Sequence, residues 1–101
     1  MIVPEGNQTV EKEMKLAVIA FLTTCAYGAA PFKGSAGLFF NLPRFIKLTP
    51  ADREMSRSRP AEQKWHAIVR NVYRSGLRDG LFVPLRGGGL QLASRVKKPA
   101  A

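Results

Sequence analysis

The stretch Ala61-Glu62-Gln63-Lys64-Trp65-His66-Ala67-Ile68-Val69-Arg70-Asn71-Val72-Tyr73-Arg74-Ser75-Gly76-Leu77-Arg78 decides how the rest of this chain is read. Trp65, Ile68, Val69 and Val72 recur at i, i+3, i+4 and i+7, the spacing of one face of an amphipathic helix. At roughly 100° per residue, the opposite face carries Gln63, Ala67, Arg70 and Arg74, flanked by Lys64, His66 and Asn71. The spacing predicts a helix over 61–78, opened by Pro60, with Arg59 held extended before the proline ring. One side is aromatic and branched aliphatic; the other presents guanidinium and amide groups around one small side chain. That chemistry suits a helix laid into a major groove, where Arg reads guanine and Asn or Gln reads adenine. Ala67 would allow close approach or touch a pyrimidine methyl group.

Beyond Gly80 the period changes from helical to alternating. Leu81, Val83 and Leu85 alternate with Phe82 and Pro84, and Leu90-Gln91-Leu92-Ala93 follows Arg86-Gly87-Gly88-Gly89. Two short strands joined by a glycine turn form a β-hairpin signal. The glycines do not make a phosphate loop, because no Lys-Ser/Thr follows them. The segment Ser94–Ala101 reads as a tail or linker.

Upstream, residues 1–8 read as an irregular lead-in broken by Pro4 and Gly6. Asn7 or Thr9 is placed to cap a helix running to about Ala26, with Glu11 and Glu13 near its positive end. Met14, Val18, Phe21, Leu22 and Cys25 form its core-facing stripe, and Leu16, Ile19 and Ala20 widen the apolar surface. Gly28 to Gly37 reads as a turn region. A short helix is expected over 36–47, bent or restarted around Pro43, with Phe39, Phe40 and Phe45 contributing to the core. Thr49-Pro50-Ala51-Asp52 reads as a further helix start, with Thr49 as cap and Pro50 in the first helical position, cut short by Ser56 to Pro60.

Charge divides the chain of 101 residues sharply. Residues 1–43 hold three lysines and three glutamates; residues 44–101 hold 13 Lys or Arg against 4 Asp or Glu, which accounts for the whole net charge of +9. Nine of those 13 cations are arginines, which bind phosphates and guanine edges in planar, bidentate fashion. Such a balance points to a polyanion, nucleic acid above all, against the plainer reading of a solubilising surface. A single cysteine, Cys25, excludes an internal disulfide, and a single histidine, His66, excludes a two-histidine metal site. No cofactor is expected. The apolar run Leu16–Tyr27 is shorter than the ~20 residues a bilayer requires. Glu5, Glu11 and Glu13 stand where an export signal would be positive, so a cytoplasmic chain without a membrane segment is expected.

Helix, short helices, basic helix and arginine-tipped hairpin follow the order of a winged helix-turn-helix, an α+β, mostly helical fold with a C-terminal hairpin wing. Residues 48–93 resemble the winged-helix domain at the front of Mrr-type restriction endonucleases and related modification-dependent nucleases. The resemblance is carried by Leu48-Thr49-Pro50-Ala51-Asp52-Arg53, Arg59-Pro60-Ala61-Glu62-Gln63-Lys64-Trp65, Val69-Arg70-Asn71-Val72, Gly80-Leu81-Phe82 and Arg86-Gly87-Gly88-Gly89-Leu90-Gln91-Leu92. Gly76 departs from it, standing where that family usually has a large apolar residue. The helix must then end early or pack another element closely, with Leu77 substituting for the lost contact. Gly89-Leu90 also stands where a larger aromatic is expected near the wing tip.

The first 47 residues match that family only as an apolar helix plus a connector, and one domain is expected over 9–94; the resemblance implies that it reads double-stranded DNA in a restriction system and is normally joined to a separate nuclease domain. It also implies recognition of 5-methyl- or 5-hydroxymethylcytosine, sensed through Ala67 or by a base extracted between His66 and Tyr73. Gln63, His66, Ala67, Arg70, Asn71 and Arg74 would face the groove; Arg57, Arg59 and Lys64 would hold phosphate near the helix start. Arg86 would reach from the wing to an adjacent backbone or minor groove. Asp52, Glu54, Glu62 and Asp79 form no recognisable nuclease motif, so the chain is expected not to be an enzyme by itself. The alternatives are a protein-interaction winged helix and a standalone DNA-binding regulator, the latter a homodimer on paired half-sites.

Overall fold

The computed structural model describes residues 1–34 and 36–96, and shows an α+β fold. Its elements run α1 (Glu11–Thr24), β1 (Ala29–Ala30), α2 (Ala36–Asn41), α3 (Lys64–Arg78), β2 (Phe82–Pro84) and β3 (Leu90–Leu92). The strands make one antiparallel sheet in the order β1-β3-β2, with Ala30 opposite Leu90 and Val83 opposite Gln91. Residues 97–101, most of the expected tail, lie outside the described residues.

Helix α1 buries Met14, Ala17, Val18, Phe21 and Leu22 against α3, which answers with Trp65, Val69 and Val72. Leu38, Leu42, Ile46, Phe82, Leu90 and Leu92 close the same core. The expected caps of α1 are not used. Val10 occupies the cap position, and its N–H donates to Glu13 Oε1 at 3.0 Å, while Glu13 Oε2 accepts the Glu5 N–H at 2.8 Å. The lead-in is likewise bound to the fold. Ile2 pairs in parallel with Ile46, donating to Phe45 O and accepting from the Lys47 N–H, each at 2.8 Å.

Around Pro43 the chain behaves as its ring dictates. Helix α2 stops at Asn41 and a 3-10 turn over Leu42–Arg44 takes up the proline near its start, where no amide is missed. Phe40 departs from expectation: it is 82% exposed, whereas Leu38 is buried and Phe39 packs on the core.

The expected helix after Thr49 is a single turn. Thr49 N–H donates to Asp52 Oδ2 at 2.9 Å, and Asp52 N–H donates to Thr49 Oγ1 at 3.1 Å, the reciprocal pattern of a capping box. The helix does not continue because the backbone beyond is committed elsewhere. Lys64 N–H donates to Glu54 O and Ser56 N–H to Glu62 O, both at 2.9 Å, so residues 54–64 fold back as a closed loop. Within that loop Glu62 N–H donates to Arg59 O at 2.9 Å, which puts Pro60 at the second position of a turn, where its fixed φ fits. Pro60 therefore does not open α3, which starts at Lys64 with Gln63 as its cap residue, later than the expected 61.

Asp52 joins these parts. It is fully buried, and its carboxylate accepts from Thr9 N–H (2.8 Å), Thr9 Oγ1 (2.6 Å) and Thr49 N–H (2.9 Å). Its carbonyl accepts the Trp65 N–H at 3.1 Å, in the first turn of α3. Burial alone raises the carboxyl pKa; the Thr9 and Thr49 hydrogen bonds outweigh it and hold the group below 3.8.

Gly76 does not end α3. It is buried within the helix, and a Cβ there would stand 2.2 Å from Phe82 Cδ2, so the bare backbone is the seat for the Phe82 ring. The triple-glycine turn is used in the same way. A Cβ on Gly89 would lie 2.2 Å from Ala30 O, so β3 meets the start of the β1–α2 connection without a side chain between them.

Two stability measurements follow. Gly76→Ala gains about 1 kcal/mol of helix propensity but forces the Phe82 ring aside at a cost of about 1–3 kcal/mol; chemical denaturation should show net loss. Asp52→Asn should destabilise the protein by about 1–3 kcal/mol at neutral pH, because it sets an amide N–H₂ among donors. The native carboxyl titrates below 3.8 when folded, so its contribution is complete above that value and is lost as pH falls through the folded-state value. Acid titration of both proteins should show the stability gap narrowing in that window; a gap constant with pH would mean that the carboxylate is not the bonded species.

Candidate nucleic-acid interface

With Trp65 only 4% exposed, α3 turns its indole inward and its basic side outward. Ala67, Asn71, Arg74 and Arg78 follow one another along the outer surface at helical spacing, with the last three exposed and Ala67 half-buried. Arg78 extends this stripe one turn past the expected residues; its i+4 spacing from Arg74 was the available signal. It lies 3.2 Å from Asp79 in an exposed ion pair.

The expected site residues divide into three groups. Arg57, Arg59, Arg74 and Arg86 are exposed and make no ion pair among the described residues. Arg57 and Arg59 ride on the closed 54–64 loop beside the start of α3, and Arg86 stands in the turn between β2 and β3. Asn71 is exposed in mid-helix. These five have their polar ends available to a ligand.

A second group is partnered by carboxylates. Lys64 Nζ lies 3.6 Å from Glu54 Oε1, with both side chains well exposed. Arg70 donates through Nη1 to Glu62 Oε2 at 2.5 Å, and the two side chains are only 19% and 23% exposed. Hydrogen bonding to Arg70 is the foremost cause that lowers the Glu62 pKa below 4.5, with the charges of Arg70, Arg59 and, when it is protonated, His66 adding to it against some desolvation.

The third group has structural employment, which corrects its placement on the reading face. Gln63 is half-buried; its Oε1 accepts the Trp65 indole N–H at 2.8 Å and so fixes the ring that anchors α3. His66 Nδ1 accepts the Gln63 N–H at 3.2 Å, which leaves its proton on Nε2 and serves the helix start. The imidazole stacks on Phe39 at 4.1 Å between centroids and meets Trp65 edge-on at 4.4 Å. Burial chiefly lowers its pKa below 6.5, Arg70 adds to that, and Glu62 opposes it. His66 is thus the neutral member of an aromatic cluster. Tyr73, its expected partner in a base pocket, packs against the core. A groove of about 350 Å³ lies instead between the lead-in and α1, lined by Ile2, Val3, Val10 and Leu16 together with the charged Glu5, Lys12 and Glu13.

Among the described residues no three His, Cys, Asp or Glu side chains gather as a metal site, and no helix is long and apolar enough to cross a membrane. No family model, curated protein or solved structure matches the chain.

His66 supplies a test of the site's supporting layer. Its folded pKa is lowered, so the stability tied to its neutral form is present above the unfolded value near 6.5 and is lost as pH falls through the folded value. An NMR titration of the ring should give a midpoint below 6.5. A midpoint at or above the ordinary value would mean that the imidazole is solvated and free of Phe39.

Proposed function

We propose that this chain is a double-stranded DNA-binding module built as a winged helix-turn-helix. The carrying observation is the outer stripe of α3, Ala67-Asn71-Arg74-Arg78, set opposite the buried Trp65, Val69 and Val72. The order helix, strand, helix, helix, strand, strand supports the same reading, as does a basic helix immediately ahead of an antiparallel hairpin tipped by Arg86. In this reading α3 enters the major groove. Asn71 offers an adenine-type contact and Arg74 a guanine or phosphate contact, with Ala67 allowing close approach. Arg57 and Arg59 meet phosphate near the start of α3, where the helix dipole favours an anion, and Arg86 meets the adjacent backbone. The module recognises rather than cleaves, and acts with a separate nuclease domain in a restriction system.

Reading of 5-methyl- or 5-hydroxymethylcytosine is the finer part of this proposal and rests on the resemblance to Mrr-type domains. With Tyr73 on the core and His66 on Phe39, the arrangement favours direct sensing of a 5-substituent near Ala67 over extraction of the base. A protein-docking role draws support from the exposed Val3, Val10 and Leu16 around the groove beside α1. Absence of duplex binding at low salt would move the assignment there.

Arg74→Ala should weaken binding to duplex DNA by roughly tenfold at ~0.1 M salt, with unchanged thermal melting because the side chain is exposed. If Arg74 meets phosphate, the slope of log affinity against log salt should flatten by about 0.9. Unchanged affinity rejects this face. Matched duplexes differing only at cytosine C5 test the finer part, and equal affinity for both removes it.

A further inference from the structure

We propose that Glu62 acts as a built-in competitor for Arg70, withholding that guanidinium from bare DNA phosphate and yielding it only to a contact that replaces the ion pair. This rests on the DNA reading of α3 given above.

Shielding distinguishes this pair. The three ion pairs among the described residues differ in shielding: Lys64–Glu54 is 38% and 57% exposed, Arg78–Asp79 is 76% and 53%, and Arg70–Glu62 is 19% and 23%. Exposed pairs exchange partners at little cost, because water screens both charges. A shielded, hydrogen-bonded pair does not, since a departing arginine leaves a carboxylate with less solvent to receive it. Arg70 is therefore the cation of α3 whose release costs most.

Glu62 is also held in position. Its N–H donates to Arg59 O and its carbonyl accepts from Ser56 N–H, each at 2.9 Å, so its backbone is part of the closed 54–64 loop. The loop carries Arg57 and Arg59, and Glu62 lies just ahead of the first turn of α3. That turn holds no acidic residue of its own. Glu62 thus sits beside the position a phosphate would favour at a helix start. A phosphate oxygen approaching Arg70 must displace a carboxylate oxygen of the same charge and similar geometry, so the exchange yields little. A base edge offering two acceptors in line with the guanidinium adds sequence dependence to the exchange, which a phosphate does not. Ion pairing here therefore subtracts the Arg70 contribution from phosphate binding.

Binding of a 20-base-pair mixed-sequence duplex, titrated across salt, tests this with four proteins: native, Glu62→Gln, Arg70→Gln and the double variant. Glu62→Ala, which also removes the carboxylate and keeps both backbone bonds, is read beside Glu62→Gln, and melting curves identify any variant that has lost its fold. Removing the carboxylate should tighten binding by roughly threefold to tenfold and steepen the salt slope by about 0.9, one more phosphate engaged. In the Arg70→Gln background the same change should alter affinity by less than about twofold, because the coupling runs through Arg70. An equal gain in both backgrounds would show plain loss of negative charge and overturn the proposal, as would an unchanged or weakened affinity of the Glu62 variants. If neither native protein nor variants bind duplex at low salt, the DNA reading itself fails; native binding with no Arg70-dependent gain sinks the competitor alone.

Discussion

The buried Asp52 carboxylate is the interaction on which the arrangement of helices depends. A carboxylate removed from water is costly unless its oxygens are satisfied, and here Thr9 supplies an amide and a hydroxyl while Thr49 supplies a second amide. The donors come from two parts of the fold: Thr9 immediately precedes the α1 cap, and Thr49 opens the turn that holds Asp52 itself. The Asp52 carbonyl then receives the Trp65 N–H, so the same residue meets the start of α3. The starts of the two long helices are thereby set against each other before their apolar faces contribute. No buried side-chain polar atom is left unpartnered among the described residues, so the junction carries no uncompensated cost.

From that junction the outward face of α3 follows. The indole N–H bonds to Gln63, the imidazole of His66 bonds to the Gln63 amide, and Phe39 stacks upon His66. These contacts lock the rotation of the first turn from the inside. At the far end Phe82 rests on the bare backbone of Gly76 and ties the hairpin to the helix. A helix gripped at both ends offers Asn71 and Arg74 from a rigid support, which the proposed recognition surface requires.

Much of this was legible in the order of residues. The period of Trp65, Val69 and Val72 identified α3 and its inward face, the alternation after Gly80 identified the hairpin, and Pro43 marked where α2 changes character. Gly76 signalled either an early helix end or a close approach; only the fold decides for the approach and supplies Phe82. Strand β1 was illegible because two alanines between Gly28 and Pro31 have no pattern, and their pairing is decided by β3, 62 positions away at Ala29↔Gln91 and 60 at Ala30↔Leu90. The extent of the helix after Thr49 failed for a related reason. Local signals open a helix there, but long-range bonds from Lys64 and Glu62 claim the carbonyls of Glu54 and Ser56's amide. For the site, charge told which residues were basic and helical spacing told which faced outward. Neither could tell that Gln63 and His66 were engaged inside, because cap geometry and aromatic stacking depend on Phe39, more than twenty positions upstream.

The distribution of partners over the basic residues carries one further consequence for the proposed function. Arg57, Arg59 and Arg86 at the margins of the surface, and Arg74 on α3, are exposed and unpaired among the described residues, whereas Arg70 near the middle of α3 is shielded and bonded. Marginal cations respond to any duplex, since phosphates recur along every sequence, and they supply attraction and register. A cation that must first leave a carboxylate responds only where the exchange is favourable. Under the proposed function, the unpaired arginines would bring a duplex to the helix without committing Arg70, and commitment would fall to the residues facing the bases. A uniformly unpaired arginine face would have the opposite property: it would gain affinity everywhere and lose the difference between one sequence and the next.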